Sequence, residues 1–391
     1  MKNKGSIFNS PGFISLLASL VSILCGLLIG VVLLLAFNAP HAVDGFVRLL
    51  TAGLSTPAKF AKVLYQAAPL ILTGLSVGFA FKTGLFNIGA SGQYTIGAAA
   101  ALICGIVFKM PWFVCIVVAM VAGAVWGFFP GLFKALFNVN EVITSIMFNW
   151  IGLFFVNVTL SNIPSVLANY YGASNADRTA ALAAANPSAI IPKAGLDTLF
   201  NSNYMNISIF VAIIIAIVIH IILNKTTFGY ELKACGSSPT ASTYAGINAK
   251  RNIVLSMVIA GALAGIAGGV YYLAGTGQYT IEKVLLGMGF NGIPVALLAS
   301  SNPIGTIFSA VFISYIQVGG EAMQPEFAVE TIDIIISAII YLSAFSLLMK
   351  TLISKVLSRK GVGDNVNANA EIAAKEEPKE DKKPEEVTEE C

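Results

Sequence analysis

The stretch Gly84–Gln93, GLFNIGASGQ, sets Gly, Asn, Ser and Gln in the middle of an apolar run, where a plain membrane span would carry Leu and Val. In hydrocarbon each unpaired backbone group costs several kcal/mol. Gly-interrupted polar backbone at membrane depth therefore persists only where it lines a cavity or is buried in protein. The stretch reads as part of a translocation path or as a tight hydrophilic turn between two helices.

Outward from it the chain is too apolar for a soluble fold. Hydrophobic residues make up 56% of the 391 and charged residues 11%, and the mean hydropathy is +0.80. Thirty-six glycines suit close helix packing in lipid. Five cysteines, three of them inside apolar runs, make no disulfide framework, and the two histidines make no metal-ligand spacing. No metal, cofactor or nucleic-acid partner is expected.

A span needs about 20 apolar residues. Uncharged runs fall near 12–37, 64–81, 88–108, 111–133, 142–160, 205–223, 253–273, 284–300, 303–318 and 334–349. The fold class expected is an all-α polytopic membrane protein of about ten transmembrane segments, with the last three short enough for some to be broken or re-entrant. The first run is longer than the apolar core of a signal peptide, about 7 to 15 residues, and reads as a retained span. The organisation is a short N-terminus (1–11), a transmembrane domain (12–354) with long loops at 161–204 and 224–252, and a tail (355–391). From Gly361 onward the tail carries ten acidic residues and four Lys with few large apolar ones, a composition that stays disordered.

With the N-terminus inside, sixteen Lys and Arg fall on the inner side and seven on the outer. By the positive-inside rule both termini are cytoplasmic in a multi-pass plasma-membrane protein. In the inner loop, Ser238 suits an N-cap, Pro239 the first helical position and Gly246 the residue beyond a helix end. That pattern predicts a helix of about seven residues, roughly 10 Å long, which is too short to span and lies on the membrane surface beside Lys233, Lys250 and Arg251. The outer loop, with Tyr170, Tyr171 and Asp177, offers a docking surface for an extracytoplasmic partner or is a loose connector.

Phe86-Asn87 has a counterpart in Phe290-Asn291 of GMGFNGIPVALLAS, Gly287–Ser300. Matching interruptions in two halves point to a central site built from repeats. No nucleophile, acid-base pair or phosphate loop is visible, so the chain is not expected to be an enzyme or to hydrolyse ATP itself. Intramembrane carboxylates are scarce, which argues against an ion-coupled carrier. The remaining candidates are Asn87, Ser91, Gln93, Tyr94, Asn149 and Asn291, with Phe86 and Phe290 as aromatic surfaces. Amides, hydroxyls and rings suit an uncharged polar solute carrying a ring, such as a sugar or nucleoside; the same groups also suit interhelical hydrogen bonding.

GLFNIGASGQYTIGAAAAL, NEVITSIMFNW from Asn140, ELKACGSSPTASTYAGINAKRNIVLSMVIAGALAGIAGG from Glu231 and GMGFNGIPVALLASSNPIG together resemble the permease subunits of bacterial ABC importers for sugars, branched-chain amino acids and nucleosides. The likeness runs in order from about Leu64 to Leu348, and TGLSVGFAFKTGLFNIGASGQ from Thr73 looks most like the nucleoside permeases. The chain departs at Ser91, where the family more often has Glu, and at Pro294. The resemblance implies nucleoside import by alternating access. It also implies an ATPase with two nucleotide-binding halves, a second related permease and a lipid-anchored extracytoplasmic binding protein as partners. It makes the 238–246 helix a coupling helix that presents Gly236, Ser238, Pro239, Ala241, Tyr244 and Gly246 to the ATPase. A ribose-type sugar permease, a passive channel for a small neutral solute and a secondary carrier are the other readings.

Overall fold

The computed structural model describes residues 11–174, 176–343, 345 and 348–352. The tail expected to be disordered, and all but one residue of the expected N-terminal segment, lie outside the described residues. The helices are α1 (Pro11–Asn38), α2 (Ala42–Thr51), α3 (Pro57–Lys82), α4 (Ala90–Ile106), α5 (Trp112–Phe137), α6 (Glu141–Ser161), α7 (Leu182–Ala185), α8 (Leu196–Phe200), α9 (Ser208–Lys225), α10 (Thr227–Ser237), α11 (Pro239–Tyr244), α12 (Ala249–Leu273), α13 (Gly287–Phe290), α14 (Gly292–Leu298), α15 (Pro303–Glu321) and α16 (Val329–Ser343). Among the described residues no strand forms, only isolated bridges such as Leu167 with Thr179.

Helix starts follow the capping chemistry of the sequence. Thr56 accepts from the Lys59 N–H with Pro57 in the first turn, Asn248 accepts from Arg251, and Asn302 accepts from Ile304 and Gly305 behind Pro303. Among the described residues, seven helices are long and apolar enough to cross a membrane. The first runs through α1 and α2; the others are α3, α5, α6, α9, α12 and α15.

The expected count of ten becomes seven at that length for local reasons. Helix α4 stops at 17 residues, α16 has 15, and the run at 284–300 breaks at Asn291 into α13 and α14. Pro294 contributes to that break because it has no N–H to return to the carbonyl one turn back.

Burial places α3 on the axis. In its apolar window 89% of residues are buried, against 22% for α5. Helices α9, α12, α14 and α15 surround it, α4 packs beyond α12, and α5 and α6 form an outer layer. Lipid offers no hydrophobic drive between helices, so contact rests on close van der Waals packing of small residues. Gly123 and Gly127 of α5 interdigitate with Gly261 and Gly265 of α12, and a Cβ on Gly123 would overlap the Gly261 carbonyl.

The two ends differ. One gathers the C-termini of α3 and α9, the whole of α10 and α11, and the start of α12. The other is capped by the 161–204 loop, which is tied down: Asn186 Nδ2 donates to the Gly105 carbonyl at 2.9 Å, and the Thr179 N–H donates to the Tyr279 carbonyl at 2.9 Å. Tyr170 stays 65% exposed on that cap.

Candidate translocation site

Between α3 and α4 the chain reverses through Thr83–Gly89, with Gly84 at φ +73. Only glycine takes that conformation without strain, and here the backbone also abuts Gly236, where any Cβ would overlap. The turn drops Asn87 into the protein at zero exposure. Its Nδ2 donates to Ser76 Oγ at 2.9 Å and to Gln93 Oε1 at 2.8 Å, while Gln93 Nε2 donates back to Asn87 Oδ1 at 3.1 Å. Ser76 Oγ in turn donates to the Ala260 carbonyl at 2.6 Å. One chain of hydrogen bonds thus ties α3, the turn, α4 and α12.

Asn149 of α6 closes the same unit from outside. Its Nδ2 donates to the Ile88 carbonyl at 3.0 Å and its Oδ1 accepts the Gly92 N–H at 2.8 Å. That N–H is one of the first-turn donors of α4 that has no partner within its own helix. Ser91 reaches the second interrupted stretch, its Oγ donating to the Leu286 carbonyl at 2.9 Å. Gly289 packs directly on the Ser91 backbone, so the two stretches singled out in the sequence touch.

The candidate residues therefore divide. Asn87, Ser91, Gln93 and Asn149 are fully buried and bonded to protein, an interhelical lock. Tyr94 is buried beside Tyr272, ring centroids 6.4 Å apart. Phe86 stacks on Phe81 at 5.0 Å and packs with Ile293 against Val77 and Ala264. Phe290 is half-buried at the end of α13. Asn291 alone of the set faces open space: it lies on the wall of a cavity of about 600 Å³ together with Pro294, Leu297, Ser337 and Tyr341, between α14 and α16.

Sequence reasoning missed three contributors. Ser76 joins the lock across eleven residues with no periodic signal, so nothing in the sequence pairs it with Asn87. Ser145 is fully buried, its hydroxyl has no partner among the described residues, and it lies against Gly89. The signal was present, because Ser145 precedes Asn149 by four residues and so shares its helix face. Toward the capped end, Tyr65 stacks on Tyr271 at 5.5 Å, and Tyr272 meets Tyr279 at 5.7 Å. Tyr65 sits in one apolar run, Tyr271 and Tyr272 in another, and Tyr279 outside both.

At the opposite end α11 forms as its caps dictate. Ser238 Oγ accepts the Ala241 N–H, and at the far end Gly246, φ +81, lets its own N–H reach the Thr243 carbonyl while Ile247 reaches Ser242. Pro239, Ala241 and Gly246 are exposed, and Tyr244 is 95% exposed. Gly236 points the other way. It ends α10 against Thr83 and Gly84, so the segment leading into α11 rests on the turn that carries the lock.

A bundle of apolar helices with a buried polar lock, a largely apolar groove that carries Asn291, Ser337 and Tyr341 on its wall, and a short helix standing proud of one end fits a multi-pass membrane permease. The chain belongs to the family described as branched-chain amino acid transport system permease component, whose model matches residues 60–344. It is 35% identical over 350 residues to the nucleoside ABC transporter permease protein NupB of Lactococcus lactis, covering 88% of this chain and 94% of that one. The guanosine ABC transporter permease protein NupP of Bacillus subtilis is 35% identical over 353 residues, 88% and 97% of the two chains. A second Bacillus subtilis protein, the guanosine ABC transporter permease protein NupQ, is 28% identical over 264 residues, 65% of this chain and 79% of that one. No solved structure matches.

Proposed function

We propose that this chain is a membrane-spanning subunit of an ATP-driven importer for nucleosides, working by alternating access. The substrate class rests on the printed activities of relatives similar over most of the chain. The observation that carries ATP coupling is the seating of Gly236 on Thr83 and Gly84. A separate ATPase with two nucleotide-binding halves grips the exposed face of α11. Closure of the ATPase on ATP pushes α10 against the turn, and the lock transmits that displacement as a unit to α3, α4 and α12. Interfaces packed this closely switch between discrete arrangements rather than deform continuously.

The substrate moves along the groove walled by Asn291, with the second interrupted stretch as the moving counterpart of the first in a two-half, ten-segment plan. A second permease completes the groove; a pair of related permeases named for one substrate in one organism supports a heterodimer. The α10–α11 end is cytoplasmic, as are both termini, because its loop carries Lys225, Lys233, Lys250 and Arg251. The capped end, with Tyr170 exposed, receives a lipid-anchored binding protein.

The test is uptake of labelled guanosine, uridine and ribose in cells lacking the chain, rescued by the intact chain, by Gly246→Pro and by Tyr244→Asp. Proline cannot take φ +81, and Tyr244 touches so little of its own protein that its replacement leaves folding intact. Loss of nucleoside uptake, restored by the intact chain and by neither membrane-inserted variant, is the expected result. Loss of ribose uptake alone makes this a sugar permease, and full rescue by Tyr244→Asp makes it a passive channel.

A further inference from the structure

A second cavity, of about 650 Å³, opens at the α10–α11 end, away from the Asn291 groove. Its walls are of two kinds. Lys82 at the end of α3, Lys233 on α10 and Asn224 near the end of α9 stand at the level where the helices finish. Leu298, Phe308 and Phe312 supply the largest apolar side chains of the rest, with Ser300, Asn302 and Ser309 among them. At a rise of 1.5 Å per residue, Phe308 and Phe312 lie about 8 and 14 Å along α15 from its first residue, so the lining passes from cationic at the surface to apolar in the depth. Phe308 is 72% exposed.

Among the described residues Lys82 and Lys233 form no ion pair. Lys233 and Lys350 both act on Lys82, and the ion pairs among the described residues engage other groups: Arg48 with Glu326, Lys62 with Glu321, Lys134 with Glu141 and Lys193 with Asp197. Helices α3 and α9 end here and α15 begins here, but helix ends carry only about half a charge each. Two lining lysines with a third nearby outweigh them.

We propose that this cavity binds the phosphodiester headgroup of an anionic phospholipid at Lys82 and Lys233, with an acyl chain along Leu298, Phe308 and Phe312. Basic pockets between transmembrane helices at the membrane surface suit such headgroups. Two other anions compete for the assignment. The acidic tail satisfies the lysines only, because its large apolar residues after Val366 are Ile372 and Val387, too few to cover the apolar wall. Free phosphate leaves that wall empty altogether. Because Lys233 lies five residues before Ser238, lipid occupancy holds α10 at the same end that contacts the turn. The proposal stands whatever solute the permease carries.

The experiment uses the full chain in neutral detergent, titrated with phosphatidylglycerol or phosphatidylcholine and read by native mass spectrometry. Wild type is expected to prefer phosphatidylglycerol by about thirtyfold, the order two surface lysines provide. A monodisperse Lys82→Gln/Lys233→Gln double variant is expected to lose that preference, and Lys82→Arg/Lys233→Arg to keep it. Lys225→Gln, outside the lining, leaves it unchanged, and millimolar inorganic phosphate does not compete. Equal binding of the two lipids by wild type, or a preference retained by the Gln double variant, overturns the proposal. So does a preference that emerges only after residues 361–391 are removed, which makes the tail the occupant, and so does competition by phosphate.

Discussion

Two stretches of this chain share a Phe-Asn signature beside glycine, and they do opposite things. At 86–89 the asparagine is sealed inside, its amide spent on Ser76 and Gln93, with Asn149 holding the turn from behind. At 290–301 the asparagine stands on a groove, between two short helices, the second followed by Ser300 and Ser301 at φ 50 and 54. The first has every neighbour it needs, and the second is broken by Pro294 and strained at its end. The sequence signature marks where a span is interrupted; whether the interruption becomes a rigid joint or an open wall depends on which polar partners the other helices bring.

The largest effect is expected at the joint. Gly84→Ala forces an L side chain to φ +73 and drives its Cβ into the Gly236 backbone. Strain and overlap together cost about 3 kcal/mol or more. The measurement is thermal unfolding of the purified chain in detergent, where this variant melts far below wild type or does not accumulate. A melting point within a degree of wild type breaks the idea that α10 is seated on the turn.

Next is Asn87→Ala, which removes all three amide hydrogen bonds and leaves the Gln93 amide buried without a partner. An orphaned buried polar group costs about 1–3 kcal/mol. The matched Asn149→Ala variant leaves the Ile88 carbonyl and the Gly92 N–H unpaired, with a loss of similar size. If the lock is one unit, the double variant loses less than the sum of the singles. Strict additivity separates the two pairings.

Much of this was legible beforehand, and the boundary of legibility is physical. Helix ends were readable because capping is local: Ser238, Pro239 and Gly246 lie within nine positions, and each acts on its own helix. The membrane class was readable because composition alone excludes a soluble fold. What could not be read is which polar residues meet, since Ser76 and Asn87 pair across a reversal and Ser91 meets Leu286 from the far half of the chain. For the same reason a set of candidates chosen for polarity mixed bonded residues with Asn291, which lines open space. Nor does a run of apolar letters reveal helix length: the run at 284–300 breaks at Asn291 into helices of four and seven residues, and α4 stops at 17.

Asn291→Ala sharpens the contrast by reversing the readout. Its side chain lines open space, so unfolding should shift by no more than about 0.5 kcal/mol, as for surface substitutions. Transport should suffer: one neutral hydrogen bond to solute is worth about 0.5–1.5 kcal/mol, or roughly two- to tenfold in the KM for nucleoside uptake. Unchanged uptake kinetics remove Asn291 from the path. A large stability loss makes the second stretch a lock like the first.

The smallest effect is the mirror image of the largest. Helix α14 ends with the Ser300 N–H donating to the Leu297 carbonyl at 2.9 Å and the Ser301 N–H to the Ala296 carbonyl at 2.8 Å. This is the closing pattern that α11 makes with glycine at Gly246, and glycine is the residue favoured at that left-handed position. Serine there carries about 1 kcal/mol of steric strain, whereas glycine loses more backbone freedom on folding, by up to about 1 kcal/mol. Ser300→Gly should therefore stabilise the chain by only a few tenths of a kcal/mol in unfolding, the opposite sign from Gly84→Ala at nearly the same φ. If the strain is stored for gating, the same variant slows nucleoside uptake while raising the melting point. A variant that melts higher and transports as well as wild type leaves the strain as an accident of local sequence, and the difference between the two stretches then rests on hydrogen bonding alone.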